Sequence, residues 1–350
     1  MPPEIDAAFR AAVEAACAFV GATMPNPPVG CAVLDAGGRI LVAAAHRRAG
    51  EPHAEALALR LLDQAGLTAQ AATLVVTLEP CNHTGRTGPC TEAILATPIR
   101  TVWIGVPDPN TRVTGHGAER LRAAGLAVHT LAHDHPGTAA AQACAALIAP
   151  FRHRATTGRP WITVKQALDA TGGMTPPPGA TTFTSAASLR LAHRLRRCTD
   201  AIITGTGTIL ADTPSFTVRH LTDHPGRRRL LAVLGQPHRL PAAYVQAATA
   251  RGFDVRPVPR LELLLPTLAD AGVLWAMVEA GPTLLRSLRE AGLWDDWLTI
   301  RRPPLDDAAP DHWAIALARD DGDVSPLSLL PEFSDFLTTA WDDDEWPRDQ

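Results

Sequence analysis

Apolar and polar positions follow two rhythms along this chain, and the switches between them divide it into elements. Residues 5–20 (IDAAFRAAVEAACAFV) repeat apolar side chains at helical spacing and predict a helix with Cys17 on its core face. After the Pro-rich turn MPNPPVG, the runs CAVLDAGG and RILVAAAH read as two strands parted by Gly37-Gly38. EPHAEALALRLLDQAG predicts a helix opened by Pro52 and closed near Gly66, and TLVVTLEP a buried strand. PCTEAILAT begins another helix on Pro89, and TVWIGVPDPN passes from strand to turn. This strand–helix alternation predicts a layered α/β domain over residues 1–150.

Residues 151–159 form a short polar stretch and predict a linker. The alternation then resumes: WITVKQAL as strand, SAASLRLAHRLRRC as helix, AIITGTG and RRLLAVLGQ as strands, and VLWAMVEAGPTLLRSLREAG as strand into helix. A second α/β domain over 160–305 follows, with no internal repeat of the first. Over 306–350 the periodicity fades, which predicts an acidic tail with a mobile end, WDDDEWPRDQ.

A length of 350 residues supports two domains better than one core. The chain has 46% hydrophobic and 19% charged residues, as a globular enzyme has. No run approaches the roughly 20 apolar residues that span a bilayer, so no membrane partner is expected. The start, MPPEIDAAFR, lacks the basic and apolar regions of a signal peptide, which predicts a cytoplasmic protein. Charge is uneven. Residues 306–350 hold 13 acidic and two basic side chains, so the preceding residues carry a net +7 within the overall −4. That excess suits a phosphorylated small molecule and falls far short of a nucleic-acid binder's basic stripe.

Two of the six cysteines, Cys81 and Cys90, flank eight residues in EPCNHTGRTGPC. A disulfide, a structural metal clip and a catalytic metal site all need examination. A reducing compartment disfavours the disulfide. A clip would need His83 as fourth ligand, because Cys31 and Cys144 lack ligand-like contexts. The third reading adds His53 from PHAE. Two thiolates and an imidazole are good zinc ligands, and three protein ligands leave a tetrahedral position for water. His53 and Cys90 both fall at predicted helix starts, where negative charge is favoured and thiol pKa falls. Glu55, two residues beyond His53, does not share its helical face. It is placed to meet the bound water as general base and acid. H-x-E followed by P-C-x-x-C is the known signature of zinc deaminases; here the cysteine spacing is C-x8-C.

PNPPVGCAV, GEPHAEALAL, TLEPCNHTGRTGPC and DPN resemble the bifunctional deaminase–reductase family of riboflavin biosynthesis, whose own form the long spacing is. VKQA, TSAASLRLAHRLR, IITGTGTILADTPSFTVR and VEAGPTL resemble the family's reductase half. The resemblance implies a cytidine-deaminase-like three-layer domain followed by a dihydrofolate-reductase-like domain. It implies zinc-dependent deamination of 2,5-diamino-6-(5-phosphoribosylamino)pyrimidin-4-one, then NADPH-dependent reduction of the ribose to ribityl. By position, Asn26, His46, His83, Arg86, Asp108 and Asn110 match deaminase substrate contacts. Lys165, Arg196, Arg219 and Glu279 match reductase substrate contacts. Ala167, Thr184, Thr208, Asp212, Gly281, Pro282 and Thr283 match the NADPH side, the last three opening a helix suited to phosphate.

The second half also departs from the family pattern. Thr171 stands where its SLDG element has Asp, Ala280 where VEGG has glycine, and LTIRRPPLDDAAP lacks the glycines that follow a strand there. Ala280 adds a methyl where backbone could approach the cofactor, which predicts weak NADPH binding. A degenerate second domain kept for packing or oligomerisation is the alternative that these departures leave. A nucleic-acid deaminase, a cytidine-type salvage enzyme and a non-enzymatic zinc module fit less well. The x8 loop and modest charge oppose the first, the GTGTILADTP element the second, and Glu55 the third. The oligomeric state is not fixed by the sequence, which is compatible with a homodimer or larger homo-oligomer.

Overall fold

A computed structural model describes residues 1–83, 88–110, 116–177, 179–180, 182–304, 310–318 and 324–334; Arg86 and the terminal WDDDEWPRDQ lie outside them. The chain divides into two compact units, Met1–Thr157 with a returning segment from Val324, and Gly158–Asp323.

The first unit runs α1 (Pro3–Cys17), β1 (Gly30–Leu34), β2 (Ile40–Ala45), α2 (Ala54–Gln64), β3 (Thr73–Leu78), α3 (Cys90–Leu95), β4 (Thr101–Val106), α4 (His116–Ala123), β5 (Ala127–Thr130), α5 (Leu131–Asp134) and α6 (Ala139–Thr157). Its sheet has the order β2-β1-β3-β4-β5. β1 is antiparallel to β2 and β3, while β3, β4 and β5 are parallel. α1 and α6 pack together on one face, and α2 with α3 on the other, giving three layers. Leu57, Ala58 and Leu62 of α2 recur at helical spacing and meet Cys31, Val33 and Val76 of the sheet. Gly30 is required where α1 crosses β1, since a Cβ there would stand 1.8 Å from the Ala12 carbonyl oxygen.

α6 runs through Pro150 and most of the residues expected to be linker. Leu147, Ile148, Ala149 and His153 are buried on both sides of the proline, and this packing outweighs the backbone hydrogen bond that proline removes. The stretch between α6 and the next strand is therefore only Gly158–Pro160.

The second unit continues with β6 (Trp161–Leu168), α7 (Ala186–Cys198), β7 (Ala201–Gly205), α8 (Thr206–Asp212), β8 (Arg229–Leu234), α9 (Ala242–Ala250), β9 (Phe253–Val258), α10 (Leu264–Asp270), β10 (Trp275–Val278), α11 (Pro282–Glu290), β11 (Asp296–Arg301) and β12 (His312–Leu317). Its seven-stranded sheet has the order β12-β11-β6-β10-β7-β8-β9. All neighbours are parallel except β11 and β12. Apolar residues of β6, β7, β8 and β10 form one core with Leu264 and Leu268 of α10 and Leu285 and Leu288 of α11.

Residues 306–350 are not uniformly a tail. β12 is an edge strand on β11, with Trp313 and Ile315 half-buried between exposed neighbours. Its short alternation is overshadowed in the sequence by flanking acids. Beyond it, Leu327, Leu329 and Leu330 are buried in the first unit, where the turn Pro326–Leu329 packs on α6. LTIR forms most of β11 even without the family's glycines.

Candidate functional site

The sheet of the first unit delivers three candidate ligand side chains to one point. β3 ends at Leu78 and the chain continues through Glu79-Pro80 to Cys81; Cys90 opens α3; His53 is the residue before α2. His53 Nδ1 lies 3.5 Å from Cys81 Sγ and 3.4 Å from Cys90 Sγ. All three ligand atoms fall within 4.8 Å of one another, and no other group of three does so among the described residues. A zinc tetrahedron with Zn–S of about 2.3 Å and Zn–N of about 2.1 Å has an S–N edge of roughly 3.6 Å. The residues therefore fit the ion. The Cys90 N–H points to Cys81 Sγ at 3.5 Å, so a helix start helps hold the thiolate.

The electrostatics suit a metal. Hydrogen bonds from Cys90 and then His53 push the Cys81 thiol down to about 4, while Cys90, donating to Cys81, is driven up. Glu55, in the first turn of α2, is buried and within reach of Cys90. Burial pushes its carboxyl up to about 7; the Cys81 charge adds to this, while its own backbone N–H and His53 oppose it. A buried carboxyl that can both take and return a proton near neutrality lies beside the ligand set.

Asn26 and His46 are brought to the same side. His46 is buried, and burial lowers its pKa, so the ring is neutral. Its Nδ1 lies 3.0 Å from the Pro52 carbonyl, which can only accept; Nδ1 therefore carries the proton. Nε2 is then an acceptor for Asn26 Nδ2 at 3.1 Å. This orients the Asn26 amide, so His46, expected as a substrate contact, is also the holder of Asn26.

Asp108 and Asn110 lie in the turn after β4, where the Asn110 N–H donates to Asp108 Oδ1 at 2.8 Å. Burial raises the Asp108 pKa, and its charge interacts with exposed His83 and with Cys81. Glu79, missed by sequence reasoning, is the tie. Its two carboxylate oxygens accept the Asp108 N–H at 3.3 Å and the Ala118 N–H of α4 at 3.0 Å. A buried acid between a strand end and Pro80 was the available signal. Arg86 lies outside the described residues.

In the second unit, β6 and β10 are parallel neighbours and place Lys165 beside Glu279. Lys165 Nζ is 3.3 Å from Glu279 Oε2, and Arg196 of α7 donates to both Glu279 oxygens, at 2.5 Å and 2.9 Å. Burial raises the Glu279 carboxyl, but Arg196 and Lys165 outweigh it and hold the group down at about 2. Arg219 is exposed and interacts electrostatically with Arg196 and Glu279. Ala167 is two residues beyond Lys165 on β6, hence on the same face. The Gly281 N–H donates to Thr208 Oγ1 at 3.1 Å, linking the starts of α8 and α11 at the carboxyl ends of β7 and β10. Pro282 and Thr283 follow, exposed, in the first turn of α11. Asp212 ends α8 and is exposed, and Thr184 is bonded to Thr182 at 3.0 Å; neither is brought onto the Lys165–Glu279 cluster by a described contact.

The departures from the pattern have structural answers. Asp169 supplies the carboxylate of the turn after β6, accepting from Thr171 N, Thr171 Oγ1 and Gly173 N at 2.7–2.8 Å. The acid has moved two residues back. Ala280 carries no backbone strain. Among described non-glycine residues only Thr213 and Phe216 have positive φ, and Ala280 packs against the second core.

A three-layer domain with an H-x-E/Cys/Cys centre and a mostly parallel domain with a Lys165–Glu279–Arg196 charged cluster define a zinc deaminase joined to a reductase. Residues 3–106 match the model of the cytidine and deoxycytidylate deaminase zinc-binding region, and residues 160–303 that of the RibD C-terminal domain. The chain is 38% identical over 291 residues to the riboflavin biosynthesis protein RibD of Mycobacterium tuberculosis H37Rv, covering 82% of each. It is 34% identical over 316 residues to that of Escherichia coli K12, covering 81% of this chain and 83% of the other. A Thermotoga maritima structure, a diaminohydroxyphosphoribosylaminopyrimidine deaminase/5-amino-6-(5-phosphoribosylamino)uracil reductase, superposes with a TM-score of 0.72 at 26% identity over 88% of this chain and 89% of the other. The chain belongs to the RibD family of riboflavin biosynthesis proteins. It is a bifunctional enzyme, a deaminase and a reductase, with zinc and NADPH as cofactors. No helix of the described residues is long and apolar enough to cross a membrane.

Proposed function

We propose that the first domain deaminates 2,5-diamino-6-(5-phosphoribosylamino)pyrimidin-4-one with zinc on His53, Cys81 and Cys90, and that Glu55 moves the protons. The convergence of those three ligand atoms beside a buried carboxyl carries this reading. When bound, zinc supplies Lewis-acid activation of water near neutral pH. Glu55 takes a proton and returns it to the departing ammonia. Asn26, its amide fixed by His46, offers Oδ1 and one N–H to the pyrimidine edge. Asp108 and Asn110, tied down by Glu79, complete the polar wall. His83 and Arg86 take the phosphate. Ammonia release from this precursor, set against cytidine and tRNA, tests the reading; release from cytidine or tRNA alone overturns it.

In the second domain, Lys165, Arg196, Arg219 and Glu279 bind the phosphoribosylamino product. Ala167, Thr184, Thr208, Asp212, Gly281, Pro282 and Thr283 line the NADPH side. The linked helix starts at Thr208 and Gly281 support the phosphate end of the cofactor. The modest positive excess before residue 306 favours a phosphorylated small molecule over nucleic acid. A metal site that needs Cys81 and Cys90 as thiolates supports a reducing, cytoplasmic setting.

A further inference from the structure

The segment between α8 and β8 carries Arg219 and bends against the preference of its own residues. Thr213 and Phe216 have φ of 45° and 54°, a region unfavourable for a bulky side chain. Phe216 is nevertheless buried. Something outside the segment holds the bend.

Two side chains grip its backbone at either end. Tyr244 of α9, the single tyrosine of the chain, is buried and donates its hydroxyl to the Pro214 carbonyl at 2.7 Å. His193 of α7 is also buried, and its Nδ1 accepts the backbone N–H of Arg219 at 3.1 Å. Burial, followed by the charges of Arg196, His220 and Arg219, holds the His193 pKa down at about 3. The ring is therefore neutral and Nδ1 remains an acceptor through the working pH range. Between the two grips, Arg196 Nη1 donates to the Thr217 carbonyl at 3.2 Å while its other nitrogens hold Glu279. The Arg219 guanidinium rests on the hydroxyls of Ser215 and Thr217 in the same segment. Hydroxyls are weak partners for a cation, so an arriving anion can take it over.

We propose that Tyr244 and His193 are positioning residues of the reductase: they hold the bent Thr213–Arg219 segment so that Arg219 faces the anionic end of the substrate, and neither touches the ligand. This rests on the reading of Arg219 as a substrate contact. A segment released at either end would relax, and ordering it again on binding would cost affinity. The cost falls on substrate binding, not on the hydride step.

The test uses the full chain, following NADPH oxidation with 5-amino-6-(5-phosphoribosylamino)uracil, with ammonia release by the first domain as the control for folding. Tyr244→Phe should raise KM about threefold to tenfold, as loss of one hydrogen bond does, with kcat and NADPH affinity unchanged. His193→Leu leaves the Arg219 N–H unpaired and should raise KM by about tenfold or more. His193→Asn, whose amide oxygen can stand where Nδ1 accepts, should return KM most of the way. On an Arg219→Ala background Tyr244→Phe should add nothing, because the residue it serves is gone. The inference is overturned if Arg219→Ala raises KM while Tyr244→Phe and His193→Leu do not, or if Tyr244→Phe costs as much without Arg219. If Arg219→Ala itself leaves KM unchanged, the assignment of Arg219 fails and the inference with it.

Discussion

Lys165, within β6, and Glu279, just past the end of β10, face each other 3.3 Å apart across two neighbouring parallel strands, and Arg196 holds the same carboxylate from α7. Glu279 is thus a buried anion between two partly buried cations, close to the carboxyl end of β10 where ligands enter such sheets. Removing the anion leaves two cations facing each other, which is the costly way to break a buried pair. Glu279→Gln should lower stability by about 3 kcal/mol and reduce NADPH oxidation more than tenfold, while ammonia release persists. Its pKa of about 2 lies below the roughly 4.3 of an unfolded Glu. The stability it contributes is therefore present above about pH 4.3 and is lost as pH falls through 2. Urea melts of wild type and Glu279→Gln should converge across that window.

Residues near the C-terminus stabilise the N-terminal domain. Leu327 is fully buried in the unit that contains α6. Leu327→Ala should cost about 2–5 kcal/mol through lost packing. The loss should appear as heat inactivation of ammonia release at lower temperature, with NADPH oxidation less affected. The reverse order would contradict the packing.

Ala280 departs from the family pattern in the sequence but carries no backbone strain in the fold. Its backbone is ordinary, and its side chain packs against the second core. Ala280→Gly should leave NADPH affinity within about twofold, since no backbone strain is relieved and the methyl packs against the second core. A tenfold tighter Kd by fluorescence titration would show that the methyl does obstruct the cofactor.

The metal centre was legible because its chemistry demands fixed residue types at fixed spacing: H-A-E before a helix and two cysteines each after a proline. The strands carrying it were legible from short apolar runs such as TLVVTL. Other features depended on long-range packing that local patterns do not encode. β12 alternates weakly amid acids, and α6 continues past Pro150 because buried neighbours hold it. Glu79 and His46 act through hydrogen bonds to other residues, so their roles follow from partners 29 and six residues away. Asp169 shows the same limit. A turn can draw its carboxylate from a shifted position without changing the fold.

Cys90 offers one of the three candidate ligand atoms and lies in contact with Glu55. Cys90→Ala should bind less than a tenth of the wild-type zinc by atomic absorption after dialysis, with ammonia release lost and NADPH oxidation retained. Stoichiometric zinc with full deamination in this variant would remove Cys90 from the ligand set.

The central claim is that Glu55 moves protons at a zinc held by His53, Cys81 and Cys90. Glu55→Gln keeps the size of a side chain that is only 4% exposed and removes its ability to take a proton. The most direct measurement is ammonia release from the diaminopyrimidine precursor by zinc-loaded Glu55→Gln, with metal content determined on the same sample. The account predicts one zinc per chain and turnover reduced by about a hundredfold or more, with little change in KM. Full zinc occupancy with more than a few per cent of wild-type turnover would contradict it and place the acid–base role on another residue.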